Sequence, residues 1–297
     1  MFGLAHALFA DTRFVISAAA LGGLFIGSFL NVLIYRLPLM LEAAYAYPHE
    51  QESLGAGQLP STPVTLATPV APLTLATPRS HCPACKRPVR PIENIPVLSY
   101  LFLRGRCAGC QARIPLRYPL IELGSALLAA GAAWHFGPTL QLAGALLLLW
   151  TLTALFFIDL DHQILPDCLT LPLLWLGLLL NSFATFVPLR DAVWGAVAGY
   201  AALWSIFWIF RLFTGKDGMG YGDFKLLAAL GAWLGWASLL PIIVLASTGA
   251  AVVGLWQMRL CDTGREQTIA FGPYLAVAGA VALFWEMGRW VGDLMLI

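Results

Sequence analysis

Eight apolar runs divide the chain, near residues 14–36, 119–136, 139–158, 168–187, 191–211, 223–237, 238–257 and 270–291. A helix needs roughly 20 apolar residues to cross about 30 Å of hydrocarbon, and these runs approach or reach that length. Only the runs at 223–237 and 119–136 fall short or are marginal. Lipid offers no partner for a backbone N–H or carbonyl, so such runs must fold as helices that satisfy their own hydrogen bonds. Composition agrees: of 297 residues, 59% are hydrophobic and 11% charged, against about 25% charged in a soluble domain. Mean hydropathy is +0.77. The chain is therefore expected to be an all-α polytopic membrane protein of about eight spans. A soluble enzyme, a secreted disulfide scaffold and a disordered chain are excluded. The first run has no small-residue cleavage site and is read as a retained helix, not a removed signal.

Three regions follow: residues 1–36, the amino-terminal segment with the first span; 37–118, a polar stretch outside the membrane; and 119–297, a membrane domain holding helices two to eight. The polar stretch divides again. Residues 53–78 repeat Pro, Thr and Ala without periodicity, as in Thr65-Leu66-Ala67-Thr68-Pro69 and Thr74-Leu75-Ala76-Thr77-Pro78, and are expected to be a loop that need not pack. Residues 79–118 hold seven arginines and one lysine against a single acid, Glu93. The positive-inside rule places this basic segment in the cytoplasm and the amino terminus outside. Alternating crossings then put the 158–167, 211–222 and 258–269 connections on the cytoplasmic side. Those connections carry Arg211, Lys216, Arg259 and Arg265, while Arg190 is the exception on the outer side.

Cys82-Pro83-Ala84-Cys85 and Cys107-Ala108-Gly109-Cys110 form two Cys-x-x-Cys knuckles separated by 21 residues. Each short turn aims two sulfurs at one point, so four thiolates at this spacing suit tetrahedral zinc. A reducing cytoplasm argues against two disulfides or a redox pair. Four thiolates leave no open coordination position, so the expected zinc is structural and folds a segment too small to bury an adequate core. His81 beside the first knuckle is expected to lie on the surface, and Cys168 and Cys261 to be small buried residues.

Acids beside membrane helices are costly and point to function. Asp159 and Asp161 end the third run in Asp159-Leu160-Asp161-His162-Gln163-Ile164-Leu165-Pro166-Asp167, and Asp223 opens the sixth in Gly220-Tyr221-Gly222-Asp223. The topology puts both segments at the cytoplasmic boundary, where one carboxylate from each is able to meet. A carboxylate pair sharing one proton supplies a base and an acid together. Gly220 and Gly222 permit a close backbone or substrate approach. Asp159 and Asp161, two apart, point to nearly opposite sides of a helix, so only one faces the partner. Asp167 suits an N-cap of the fourth helix, and Asp223 taken alone also fits an N-cap. A proton relay in a transporter is the rival explanation, although relays favour midplane acids.

These motifs resemble the type IV prepilin peptidases, the leader peptidase and N-methyltransferase family of bacterial inner membranes, over most of the chain. Gly27-Ser28-Phe29-Leu30-Asn31-Val32 with Tyr35-Arg36-Leu37-Pro38 is similar to the family's first helix. Glu93-Asn94-Ile95-Pro96-Val97-Leu98-Ser99-Tyr100 and Arg104-Gly105-Arg106-Cys107 resemble its cytoplasmic domain, and Arg117-Tyr118-Pro119 with Glu122-Leu123 its second helix. The resemblance implies a catalytic dyad of Asp159 and Asp223, with the middle acid, Asp161, dispensable. It implies cleavage of prepilins or type II secretion pseudopilins after the glycine that ends a short basic leader, at the cytoplasmic face of the inner membrane. It also implies methylation of the new terminal amine by S-adenosylmethionine, with Gly105 and Arg106 near the methyl-donor site. Relatives often carry lysine where this chain has Arg106, and the change keeps charge but alters geometry.

Glu122 is expected either to belong to the methyl-donor site or to complement a helix N-terminus. The lipid bilayer is the expected environment, and no nucleic-acid partner is expected. Glu286 and Arg289 are placed to pair near the end of the last helix. His162 is expected to face headgroups, and tryptophans such as Trp134, Trp150, Trp236 and Trp290 to anchor helix ends at the interface. Two other functions stay open on the residues alone: a proton-coupled transporter with a zinc-stapled domain, and a non-catalytic assembly scaffold.

Overall fold

The computed structural model describes residues 11–53, 73–216, 218–260 and 270–285. The elements are helices: α1 (Thr12–Ser53), a short α2 (Leu98–Phe102), α3 (Arg117–Phe136), α4 (Leu140–His162), α5 (Asp167–Asn181), α6 (Leu189–Thr214), α7 (Tyr221–Leu234), α8 (Leu239–Leu260) and α9 (Gly272–Phe284). Each expected apolar run overlaps one helix among the described residues, although α5, α7 and α9 have only 15, 14 and 13 residues. Four segments of the described residues are long and apolar enough to cross a membrane: Thr12–Ala44, Leu140–His162, Leu189–Thr214 and Trp236–Arg259. Helices α5 and α9 are apolar but shorter.

The boundaries depart from expectation where a particular residue stops or extends a helix. Helix α1 continues past Arg36 because Leu39, Met40, Leu41, Glu42, Ala43 and Ala44 are strong helix formers. Helix α5 stops at Asn181, short of the expected 187, and the chain turns through Ala184 at φ 52°. Helix α7 stops at Leu234, short of 237, because Gly235 adopts φ 80°.

The chain divides into two compact units. The larger comprises residues 1–23 and 125–297 and holds the apolar core. Its centre is α7, whose Phe224, Leu226, Leu227, Leu230 and Trp233 are fully buried. Helix α6 packs on α7 through small residues. A methyl group on Gly199 would stand 2.7 Å from the Leu227 carbonyl oxygen, and one on Gly195 would overlap the Gly231 carbonyl. Close backbone contact of this kind is how helices associate where lipid removes the hydrophobic drive. Helix α5 meets α7 through Gly177, which leaves room for the Trp233 ring, and Trp233 Nε1 donates to the Leu173 carbonyl at 2.8 Å. Trp233 is thus a core residue and not an interface anchor. Trp150 lies in the middle of α4, so it does not anchor a helix end either. Trp134 and Trp236 are exposed near the ends of α3 and α8, as expected. Trp290, Glu286, Arg289 and Cys261 lie outside the described residues.

The second unit, residues 24–124, contains the knuckles. The two turns repeat each other with a 25-position offset, Cys82 to Cys107. Lys86 N–H donates to the Cys82 carbonyl at 2.9 Å and Gln111 N–H to that of Cys107 at 3.0 Å. Cys82 N–H donates to Arg87 and Cys107 N–H to Ala112, both at 2.9 Å. Lys86 and Gln111 share a left-handed φ near 60°, which closes each loop tightly. The last part of the 53–78 segment, expected to be a loop that need not pack, is instead held to the fold. Buried Arg36 donates to the carbonyls of Thr74 at 2.8 Å, Leu75 at 3.3 Å and Pro78 at 2.6 Å. Residues 54–72 lie outside the described residues.

Candidate active site and metal centre

Asp159 lies in the last turn of α4 and is 5% exposed, whereas Asp161 is exposed. The two-residue spacing separates them as expected. Asp223 is the third residue of α7 and is 6% exposed. It is not an N-cap: Gly220 holds that position, and the Asp223 N–H donates to the Gly220 carbonyl at 3.2 Å. The Asp159 and Asp223 carboxylates, brought together from segments 64 positions apart (223 minus 159), are near enough for their charges to act on each other.

Two glycines shape this pair. Gly222 packs on Leu165, where a methyl group would stand 2.7 Å from Leu165 Cβ. Gly272, the first residue of α9, lies against Asp159, where a methyl group would stand 2.6 Å from Oδ2. Asp159 Oδ2 itself is buried and has no hydrogen-bond partner among the described residues. Gly220 stands beside Asp223, with Oδ2 at 3.8 Å from the position of a methyl group. Sequence reasoning missed Gly272. The signal was Gly272-Pro273 heading the last apolar run, where proline fits the first helical turn.

Asp167 does not cap α5, because Pro166 is the N-cap residue. Its carboxylate instead binds Lys225 Nζ from α7 with both oxygens, at 2.6 and 2.7 Å. Cys168 is exposed, contrary to the expected burial, since it occupies the first turn of α5 beside Asp167. His162 is exposed.

In the second unit the four sulfurs of Cys82, Cys85, Cys107 and Cys110 lie within 4.8 Å of one another. Cys82–Cys110 and Cys85–Cys107 sulfur separations are 3.8 and 4.0 Å. A tetrahedron with metal–sulfur bonds of about 2.3 Å has edges of about 3.8 Å, so the cluster is able to hold a metal ion. The first thiol of each knuckle is tuned toward the thiolate that a metal needs. Backbone N–H groups of Cys85 and Ala84 lower Cys82, and those of Cys110 and Gly109 lower Cys107 to about 6. His81 is outside the cluster.

Gly105 is buried at φ +67°, and a methyl group there would stand 2.7 Å from the Tyr100 hydroxyl oxygen. Arg106 is exposed. Glu122 is 9% exposed and does not serve its own helix terminus. Its Oε2 accepts the N–H of Val97 at 2.7 Å. Val97 has φ 59°, a costly conformation for a β-branched residue.

The whole is an all-helical membrane protein with a buried aspartate pair and a four-cysteine cluster. Its sequence matches the bacterial peptidase A24 N-terminal domain over residues 21–136 and the type IV leader peptidase family over residues 146–255. The chain belongs to the type IV leader peptidase family. A prepilin leader peptidase/N-methyltransferase of Stutzerimonas stutzeri is 51% identical over 272 residues, covering 92% of this chain and 91% of the relative. Proteins of the same name from Pseudomonas aeruginosa and Aeromonas hydrophila are each 51% identical, covering 89% and 92% of this chain and 88% and 92% of the relatives. No solved structure matches the chain.

Proposed function

We propose that this protein is a bifunctional membrane enzyme, an aspartic endopeptidase that removes the leader of type IV prepilins or pseudopilins after glycine and methylates the new terminal amine. The observation that carries the peptidase is the approach of Asp159 and Asp223, two carboxylates buried among apolar helices and close enough to interact. The ionised member takes a proton from water as the water oxygen bonds to the scissile carbonyl carbon. The protonated member gives its proton to the carbonyl oxygen, forming a tetrahedral diol. Collapse of the diol breaks the C–N bond, one hydroxyl proton returns to a carboxylate, and the leaving amine takes the other carboxyl proton. Gly220 and Gly222 support the loop that presents Asp223 and give a substrate strand room to approach.

Zinc is the metal that the four cysteines suit, in a structural role. S-Adenosylmethionine, when bound, supplies an electrophilic methyl group to the terminal amine. Exposed Arg106 offers a cation for the donor's carboxylate. Gly105 shapes the turn that carries Arg106, and Glu122 supports the site through the Val97 backbone. The eight helices other than α2 span the inner membrane in this reading, with the amino terminus outside and the cysteine cluster and aspartates at the cytoplasmic side. A transporter calls for acids deep in the bilayer, and a scaffold has no use for two buried, interacting acids.

The test is cleavage of a purified prepilin in lipid by the wild type and by Asp159→Asn, Asp161→Asn and Asp223→Asn. Loss in the first and third alone, with methylation of a previously cleaved pilin retained, is the expected result. Full cleavage by Asp159→Asn or Asp223→Asn would overturn the dyad.

A further inference from the structure

We infer that Gly272, at the head of α9, is a positioning residue of the peptidase: its bare α-carbon admits the Asp159 carboxylate. The inference rests on the dyad proposed above. The two aspartates stand at opposite kinds of helix end. Asp223 is in the first turn of α7, where free N–H groups and the positive end of the helix dipole favour a carboxylate. Asp159 is in the last turn of α4, where only carbonyls point outward and the dipole disfavours negative charge. It has no local N–H to accept from, and the start of α9, where N–H groups lack helical partners, faces it at Gly272.

Only glycine fits there. A methyl group on Gly272 would stand 2.6 Å from Asp159 Oδ2 and 3.0 Å from its Cγ, with Leu165 Cδ1 next at 3.1 Å. Its two nearest neighbours are therefore atoms of the carboxylate, so a side chain at this position displaces the functional group before it disturbs the packing. Pro273 follows and suits the first turn of α9, which holds the Gly272 α-carbon against Asp159. Gly279, two turns along the same helix, differs in kind. Its neighbours are the side-chain atoms of Leu230, and it touches neither aspartate.

The experiment compares Gly272→Ala and Gly279→Ala in lipid, measuring kcat and KM for prepilin cleavage, methylation of a previously cleaved pilin, and the thermal midpoint. Gly272→Ala is expected to lose at least tenfold in kcat with KM within twofold of wild type and methylation retained. Gly279→Ala is expected to keep its kcat whatever it does to stability. The stability cost of Gly272→Ala is also measured in an Asp159→Ala background, where it should largely disappear. If Gly272→Ala alone does not accumulate, recovery of the double variant is the same result. Wild-type kcat in Gly272→Ala, or an undiminished cost after Asp159→Ala, would overturn the role of Gly272. Retained cleavage by Asp159→Asn would instead overturn the dyad beneath it.

Discussion

Replacing Asn181 by alanine should destabilise the protein more than any other single polar change among the described residues while leaving the aspartate pair intact. Asn181 is 1% exposed, and its side chain makes four hydrogen bonds to backbone. Nδ2 donates to the carbonyls of Ala232 and Trp233 at 2.8 and 3.0 Å, which belong to the last turn of α7 and lack helical partners. Oδ1 accepts from the N–H groups of Phe186 and Val187 at 2.9 and 3.2 Å. Alanine strands all four. At about 1 kcal/mol for each buried group, with partial relaxation, the loss is roughly 3–5 kcal/mol. A protein of this size shifts by about 2–4 °C per kcal/mol, so the midpoint should fall by roughly 10 °C. The assay is thermal unfolding in detergent, with prepilin cleavage measured well below the midpoint. A shift under about 2 °C for Asn181→Ala would refute the view that this side chain closes the end of α7.

Cys107→Ser should remove bound zinc, read as metal per chain by elemental analysis, and abolish methylation before cleavage. Equal metal content in the variant would exclude Cys107 as a ligand. Glu122→Ala leaves the strained Val97 N–H unpaired and should lower methylation at least fivefold, while Glu122→Gln, which keeps an acceptor oxygen, retains most of it; equal loss in both would refute the backbone-holding role. Gly195→Ala forces a methyl group onto the Gly231 carbonyl and should lower the thermal midpoint by about 5 °C, from an overpacking cost of about 1–3 kcal/mol. An unchanged midpoint would mean that the α6–α7 contact yields easily.

The positions of the long helices were legible because lipid demands long apolar runs and internal hydrogen bonds, which leave a plain mark on the chain. Their ends were less legible. Asn181 stops α5 through partners as far along the chain as Trp233, and no local propensity encodes that. The knuckles were readable because metal ligands must be close in sequence to make a tight turn, and the sulfurs do converge. Asp159 and Asp223 stood out because buried acids are rare. Gly272 and Lys225 did not, because each acts on a residue from another helix. Glu122 shows the same limit: its carboxylate was visible, but its partner, Val97, lies 25 positions away and on another element.

The ion pair of Asp167 and Lys225 gives the last of these cross-helix contacts a sharp test. The Asp167 side chain is 57% exposed and that of Lys225 28%, so solvent screens the pair and its stability is worth only about 0–1 kcal/mol. Its geometry matters more. It ties the first residue of α5 to the first turns of α7, immediately after Leu165, and Leu165 is the side chain that both Gly222 and Gly272 rest against. A loosened tie lets the 163–166 loop move, and both aspartates lose a support. Asp167→Lys should therefore lower kcat for prepilin cleavage several-fold while shifting the thermal midpoint by no more than about 4 °C. The exchange of both residues, Asp167→Lys with Lys225→Asp, should recover much of the rate, because the attraction is restored with its ends reversed. If the exchanged pair is no better than the single variant, the contact does not hold the loop, and α5 and α7 must be positioned by the Trp233 and Asn181 contacts alone.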